Sequence, residues 1–228
     1  MKVRKEIIGS CTLYNADCMK LMSQYPDKHF DLAIVDPPYG GKNHNLHNYK
    51  SVLTDSGAIR TGGKWTSKYG NKINEWDNPP NKNYFEELFR ISKYQIIWGG
   101  NYFDLPRSRN FIIWRKKTIS ENFSMAMAEY AWTNIPGNAK VFEYHPQDPK
   151  RFHPTQKPVA LYKWLLSKYA KQDYKILDTH MGSGSIAIAC NEMGIDLTAS
   201  EIDADYFKAA CDRVREANKQ KLLFKDVS

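Results

Sequence analysis

The sequence predicts an α/β fold: a mostly parallel, doubly wound sheet of the Rossmann-like kind, covered by helices on both faces, with one antiparallel strand. Three observations carry this. Short apolar runs alternate with helix-period segments nearly throughout the chain. Two of the runs end abruptly in an acid and a turn, at Asp36 and at Asp178. The C-terminal part reads as a clean strand, helix, strand, helix series. At 228 residues, one domain spanning 1–228 accounts for the chain.

Taken in order, residues 1–9 carry charges without a long apolar run, so neither a signal peptide nor an anchor is expected there, nor a bilayer span later. Residues 11–14 form a short strand. Asn15, Ala16 and Asp17 then cap a helix whose apolar face is Cys18, Leu21, Met22 and Tyr25, stopped by Pro26. The run into Asp36 is too short for a helix and reads as a buried strand, which opens the chain with a right-handed β-α-β unit. From 41 to 78 the pattern dissolves into Gly, Asn, Lys, Ser and Thr with isolated Trp65, Tyr69 and Trp76. Such a long insertion suits a DNA-contacting loop, with Lys42 and Lys64 among its phosphate contacts; a solvated surface loop is the plainer alternative.

Residues 81–93 show helical spacing in Tyr84, Phe85, Leu88 and Ile91, and 94–98 form a strand ending at Gly99 and Gly100. A strand at 111–114 is flanked by Arg107, Arg109, Arg115, Lys116 and Lys117 with no acid among them, a second candidate for phosphate contact. Residues 129–135 form the antiparallel strand, since no crossover helix precedes them. The stretch 140–152, broken by prolines, is left without an assignment. Pro158 opens a helix through Leu161, Trp164, Leu165 and Tyr169 from its first turn. Strand Lys175–Asp178, helix Ser185–Met193 closed by Gly194, a strand at 197–200 and a helix at 204–218 complete the chain.

Lys and Arg number 33 against 25 Asp and Glu, a formal charge of +8, which is compatible with a polyanionic partner. Cys11, Cys18, Cys190 and Cys211 show no paired spacing and read as thiols of a reducing cytoplasm. His44 and His47 lack further ligands nearby, so no metal site is expected.

Three constellations carry chemistry. The first is Asp36-Pro37-Pro38-Tyr39-Gly40, an acid and an aromatic on a turn stiffened by two prolines that lack N–H groups. The second is Asp178 to Gly184, a strand entering Gly182-Ser183-Gly184 at a helix start, where a ligand can approach the backbone and the positive helix end. Glu201, closing the next strand, is where such folds place an acid that accepts from ribose hydroxyls. Asp203 and Asp205 read instead as helix-capping charges. The third is His153-Pro154-Thr155-Gln156-Lys157-Pro158, in which Lys157 is able to meet a carboxylate.

These three motifs, in this order, resemble the beta group of S-adenosylmethionine-dependent DNA amino-methyltransferases of the phage and bacterial type, including adenine-N6 enzymes. In that group the catalytic motif precedes the glycine motif, a circularly permuted order that this chain shares. The resemblance implies that Asp178, Gly182 and Gly184 shape the methionine pocket, that Glu201 holds the ribose, and that Asp17 with Cys18 lies against the cofactor adenine. It implies help from Thr155 and Lys157 at the methionine end. Asp36, Pro37 and Tyr39 would handle a flipped base in double-stranded DNA, read by the loop 41–78 and by Arg107, Arg109 and Lys116. It allows a cognate restriction endonuclease as a partner and leaves the oligomeric state open.

Where the family shows Asp-Pro-Phe-x-Gly-Ser-Gly-Thr, this chain has Thr179, His180, Met181 and Ser185. His180 therefore stands at a packing position and is not assigned as a base. Asp36 favours adenine; cytosine-N4 enzymes more often have Ser there. Protein or RNA methylation and an inactive DNA-binding or cofactor-sensing module remain as alternatives.

Overall fold

The structure is a computed structural model that describes residues 4–40, 78–122 and 126–225, with side chains described as far as 220. Strand β3 (Phe30–Val35) is its hub. Leu32, Ala33, Ile34 and Val35 are all buried, as a strand covered on both faces requires. Around it the chain lays out β1 (Arg4–Ile8), β2 (Cys11–Asn15), helix α1 (Cys18–Met22), α2 (Lys82–Ile91) and β4 (Ser92–Trp98). Next come β5 (Phe111–Lys116), β6 (Ala128–Thr133), β7 (Lys140–Tyr144), α3 (Val159–Tyr169), β8 (Lys175–Asp178), α4 (Ser185–Met193), β9 (Asp196–Glu201) and α5 (Ala204–Lys225).

Among the described residues the strands order as β1-β2-β9-β8-β3-β4-β6-β5-β7 in a nine-stranded sheet. β3 pairs in parallel with β4 on one side and with β8 on the other, Leu32 facing Tyr94 and Ile176. From β3 the chain winds through α2 to β4, and from β8 it winds through α4 to β9 in the opposite direction. The β3/β8 seam is therefore the point where the winding reverses, and both strands end on the same side of the sheet. Open α/β sheets bind their ligands at such a seam. Tyr84, Phe85, Leu88 and Ile91 of α2 pack on one face with Met22 of α1, while α3, α4 and α5 bury Leu161, Ile186 and Phe207 on the other.

β6 is antiparallel to both its neighbours, as expected. A second antiparallel strand, β1, pairs with β2 at the sheet edge and departs from the single exception read from the sequence. Its outward charges, Arg4, Lys5 and Glu6, hide the strand signal, because an edge strand buries little; only Ile8 is buried. β7 lies within the unassigned stretch at 140–152; it too is an edge strand, aligned in parallel with β5. Pro158 is the N-cap of α3 in an extended conformation (φ −66°, ψ 143°) rather than a first-turn residue. All four cysteines are thiols, with Cys11, Cys190 and Cys211 buried. Among the described residues no helix is long and apolar enough to cross a membrane.

Candidate active site

Asp36 follows the last residue of β3, so the buried strand fixes where its side chain begins. Its carboxylate is gripped from two sides: Tyr39 Oη donates to Oδ1 at 2.6 Å, and Lys157 Nζ donates to Oδ2 at 2.5 Å. The side chain of Lys157 is only 3% exposed. The Tyr39 ring lies against the backbone of Gly99, where a Cβ would come within 2.1 Å of ring atom Cε1, so the φ of +67° and the close approach both require glycine there. Tyr102 stacks on Tyr39 with centroids 4.9 Å apart and planes 17° apart. The first constellation is thus a clamped acid beside a backed aromatic face.

The second closes β8. Asp178 accepts the backbone N–H of His180 at 3.0 Å, and burial pushes its carboxyl up to about 8. Glu201 Oε2 accepts from Gly182 N–H at 2.8 Å and Oε1 from Asp203 N–H at 2.9 Å, so the acid at the end of β9 holds the glycine turn open. Burial raises this carboxyl too, against those backbone donors. Gly182 has φ +52°, and Gly184 packs so closely on α5 that a Cβ would sit 3.2 Å from Ala210 Cβ. Burial also lowers His153 and His180 to about 4 each, with Lys157 adding to the effect on His153, so both imidazoles are neutral near pH 7.

Between these two strand ends runs a cleft of about 950 Å³. It is lined by Asp36, Pro37 and Tyr39 on one side and by Gly182 and Glu201 on the other, with Asp17 and Cys18 at the start of α1 and Thr155 and Lys157 before α3. Asp17 caps α1, accepting from Lys20 N–H at 3.0 Å. Asp178 and Gly184 stand behind the turn and do not line the cleft. Lys157, in the same lining as Thr155, turns its ammonium to the carboxylate of Asp36.

The basic residues fall elsewhere. Lys116 is 7% exposed and bonds Glu129 Oε1 at 2.7 Å, so it is unavailable to a phosphate. The alternation of buried Ile112, Trp114 and Lys116 along β5 is the reason: period two puts all three on the inward face. Arg107 and Arg109 are exposed but line a different cavity, of about 700 Å³, together with Lys28, Gln95 and Asn134. Lys28 precedes β3, so that cavity sits toward the end of the sheet where β3 begins, away from the Asp36 corner. Lys42, Lys64 and the rest of 41–77 lie outside the described residues.

Several residues at the site escape sequence reasoning. Glu129 receives Lys157 Nζ at 3.1 Å, and Trp98 presents its ring 5.2 Å from the same nitrogen. Ile202, 63% exposed, lines the cleft beside Glu201. Buried Tyr84 bonds Thr179 Oγ1 at 2.6 Å, and Thr179 Oγ1 bonds His180 Nδ1 at 2.9 Å. Only Ile202 has a readable signal: an apolar residue next to an acid at a strand end.

A family model described as DNA methylase matches residues 111–212. The type II methyltransferase M2.MboI of Moraxella bovis is 23% identical over 225 residues, covering 78% of this chain and 77% of that protein. The putative methylase YubD of Escherichia coli (strain K12) is 22% identical over 223 residues, 87% of each chain. The solved M1.HpyAVI–SAM complex superposes with a TM-score of 0.55 at 20% identity over 90% of this chain and 98% of that one. The cytosine-N4-specific PvuII DNA methyltransferase gives 0.56 at 12% identity over 93% of each. These likenesses bear out the Rossmann-like α/β fold, and the family match agrees with the resemblance carried by the three motifs.

Proposed function

We propose that this chain is a DNA methyltransferase that moves the methyl group of S-adenosylmethionine onto the exocyclic amine of a base flipped out of duplex DNA, with adenine N6 as the target. One observation carries the reading: at the seam where the sheet reverses its winding, the clamped carboxylate of Asp36 and the glycine turn braced by Glu201 line the same cleft. The DNA methylase family match supports methylation of DNA, and covers both adenine-N6 and cytosine-N4 enzymes. The choice of adenine rests on Asp36.

The cleft fits the cofactor on its own chemistry. Exposed Ile202 and Cys18 at the start of α1 offer an apolar rim to a flat ring, with the Asp17 carboxylate beside them as a hydrogen-bond acceptor. Glu201, anchored by two backbone N–H groups, retains lone pairs for ribose hydroxyls. Asp178, behind the glycine turn and raised to about 8 by burial, accepts from His180 N–H and so fixes the turn that faces the ligand. When bound, S-adenosylmethionine supplies a methyl group activated by its sulfonium.

The protein's own part is alignment. An adenine amine is a poor nucleophile because its lone pair is delocalised into the ring. Accepting its N–H groups on Asp36 and on the Pro37 carbonyl favours a pyramidal nitrogen with a localised pair. With S-adenosylmethionine held by Asp17, Gly182 and Glu201, the localised pair would be aligned to take up the methyl group that the sulfonium supplies, the thioether leaving with the electrons of the carbon–sulfur bond. The amine proton, acidic once the methyl is attached, would pass by way of the Asp36 carboxylate to water. Positioning of this kind can contribute on the order of 7 kcal/mol or more. Tyr39, backed by Tyr102, offers the flipped base a stacking face worth roughly 1–3 kcal/mol. Flipping itself costs a few kcal/mol.

The test is nucleoside analysis of duplex DNA incubated with the chain and labelled S-adenosylmethionine. N6-methyladenine is expected, and Asp36→Ala should abolish it while cofactor binding persists. N4-methylcytosine in its place would overturn the adenine assignment. Absence of label in either base would overturn the function.

A further inference from the structure

Beside Asp36 runs a line of alternating charges that no motif in the sequence announces. Asp36 Oδ2 meets Lys157 Nζ at 2.5 Å, Lys157 Nζ meets Glu129 Oε2 at 3.1 Å, and Glu129 Oε1 meets Lys116 Nζ at 2.7 Å. Two carboxylates and two ammoniums balance. Both lysines are nearly buried, and each lies over a buried tryptophan: Lys157 Nζ is 5.2 Å from the Trp98 ring centre and Lys116 Nζ is 5.2 Å from that of Trp114. An ammonium so enclosed cannot stay charged without its carboxylates. Burial pulls Lys157 down, yet Asp36 and Glu129 hold it above the usual lysine range. Burial pushes Glu129 up, yet Lys157 and Lys116 hold it below the usual range. Both are therefore fixed charges near neutral pH and not a relay for protons.

We propose that Glu129 and Lys116 are positioning residues for methyl transfer: Lys116 anchors Glu129, Glu129 holds Lys157, and Lys157 aims the Asp36 carboxylate at the cleft. This rests on the proposed methyltransferase function. The geometry is that of a bracket. Glu129 stands on β6, opposite Trp114 in the register, and Lys116 N–H bonds Met127 O at 2.8 Å, so two adjacent strands fix both ends of their ion pair. Lys157 sits on the rigid segment just before α3 and bridges from that bracket to Asp36. Tyr39 holds the other carboxylate oxygen. Without Glu129, Lys157 keeps a single carboxylate partner and its Nζ is free to swing around the Asp36 carboxylate or to turn away from it. Either movement changes the direction in which Asp36 accepts the amine. Strand β6 thus has a task at the site: it brings a second acid to the ammonium of Lys157.

A merely structural ion pair is replaceable by apolar groups without loss of rate. The test therefore uses Glu129→Gln together with the charge-balanced double variant Glu129→Gln/Lys116→Met, which removes one charge of each sign and keeps the chain foldable if the single variant does not fold. In single-turnover methylation of duplex DNA from a preformed complex with S-adenosylmethionine, the double variant should transfer methyl about tenfold to a hundredfold more slowly. Its affinities for cofactor and DNA should stay close to those of the unaltered chain. Glu129→Asp, with the charge kept and the reach shortened, should fall between. A double variant as fast as the unaltered chain would overturn the proposal. A crystal structure of the double variant decides the same point without turnover: Nζ displaced from Asp36 supports positioning, and Nζ unmoved overturns it. If the unaltered chain never methylates DNA, the function falls while the crystal structure still decides whether Glu129 places Lys157.

Discussion

Asp178 is an acid enclosed by the strands and turn that it helps to fix, and its burial has a pH signature. Its carboxyl is raised to about 8, and an unfolded aspartate titrates near 4. A group whose folded value is the higher one binds its proton more tightly in the native state. Its stabilising contribution is therefore complete below about pH 4 and is lost as pH rises toward 8. The loss is on the order of a few kcal/mol. Thermal melts of the bare chain between pH 5 and 8 should show stability falling relative to Asp178→Asn, and saturation with cationic S-adenosylmethionine should reduce that fall. Parallel melting profiles for the two chains would remove Asp178 as the cause. Asp178, Asp36 and Glu201 are all legible in the sequence because each closes an apolar run. Glu129 is not, because it stands inside a strand and gains its meaning from Lys116 and Lys157, which only the folded sheet brings to it.

At the scale of elements, the turn that leaves β4 works as the seat of the Asp36 corner. Gly99 has φ +67°, and Tyr39 occupies the space that any side chain there would need. Gly99→Ala should cost roughly 1–3 kcal/mol through the left-handed backbone and the clash together. Because the ring it displaces bonds Asp36 Oδ1, the rate of methyl transfer should fall with the stability. Denaturant unfolding and methylation kinetics on the same preparation check both, and a variant with wild-type values for each would show that Tyr39 does not depend on this turn. Helix α4, bounded by Gly184 and Gly194, is readable to the residue because both ends carry left-handed glycines. β1 and β7 are not readable, since edge strands expose most of their side chains and show no apolar alternation.

For the whole molecule, winding reversal explains why motifs distant in the chain share one cleft: β3 and β8 are neighbours, and their turns leave the sheet at the same end. That much of the site follows from motif order and from the alternation of strands and helices. The DNA-facing surface does not, because clustered charge in sequence says nothing about which end of a sheet it reaches. The group Arg107, Arg109 and Lys116 shows this. Lys116 turns inward to Glu129, and the two arginines share a cavity with Lys28 away from the cleft. A side chain that neutralises one phosphate adds about 0.9 to the salt slope of duplex binding. Replacing Arg107 and Arg109 together with alanine should leave both that slope and the methylation rate unchanged, measured by titrating duplex DNA across a series of salt concentrations. A slope smaller by about 2 would mean that the duplex extends around the molecule to the end where β3 begins, and the DNA path would have to be redrawn from there.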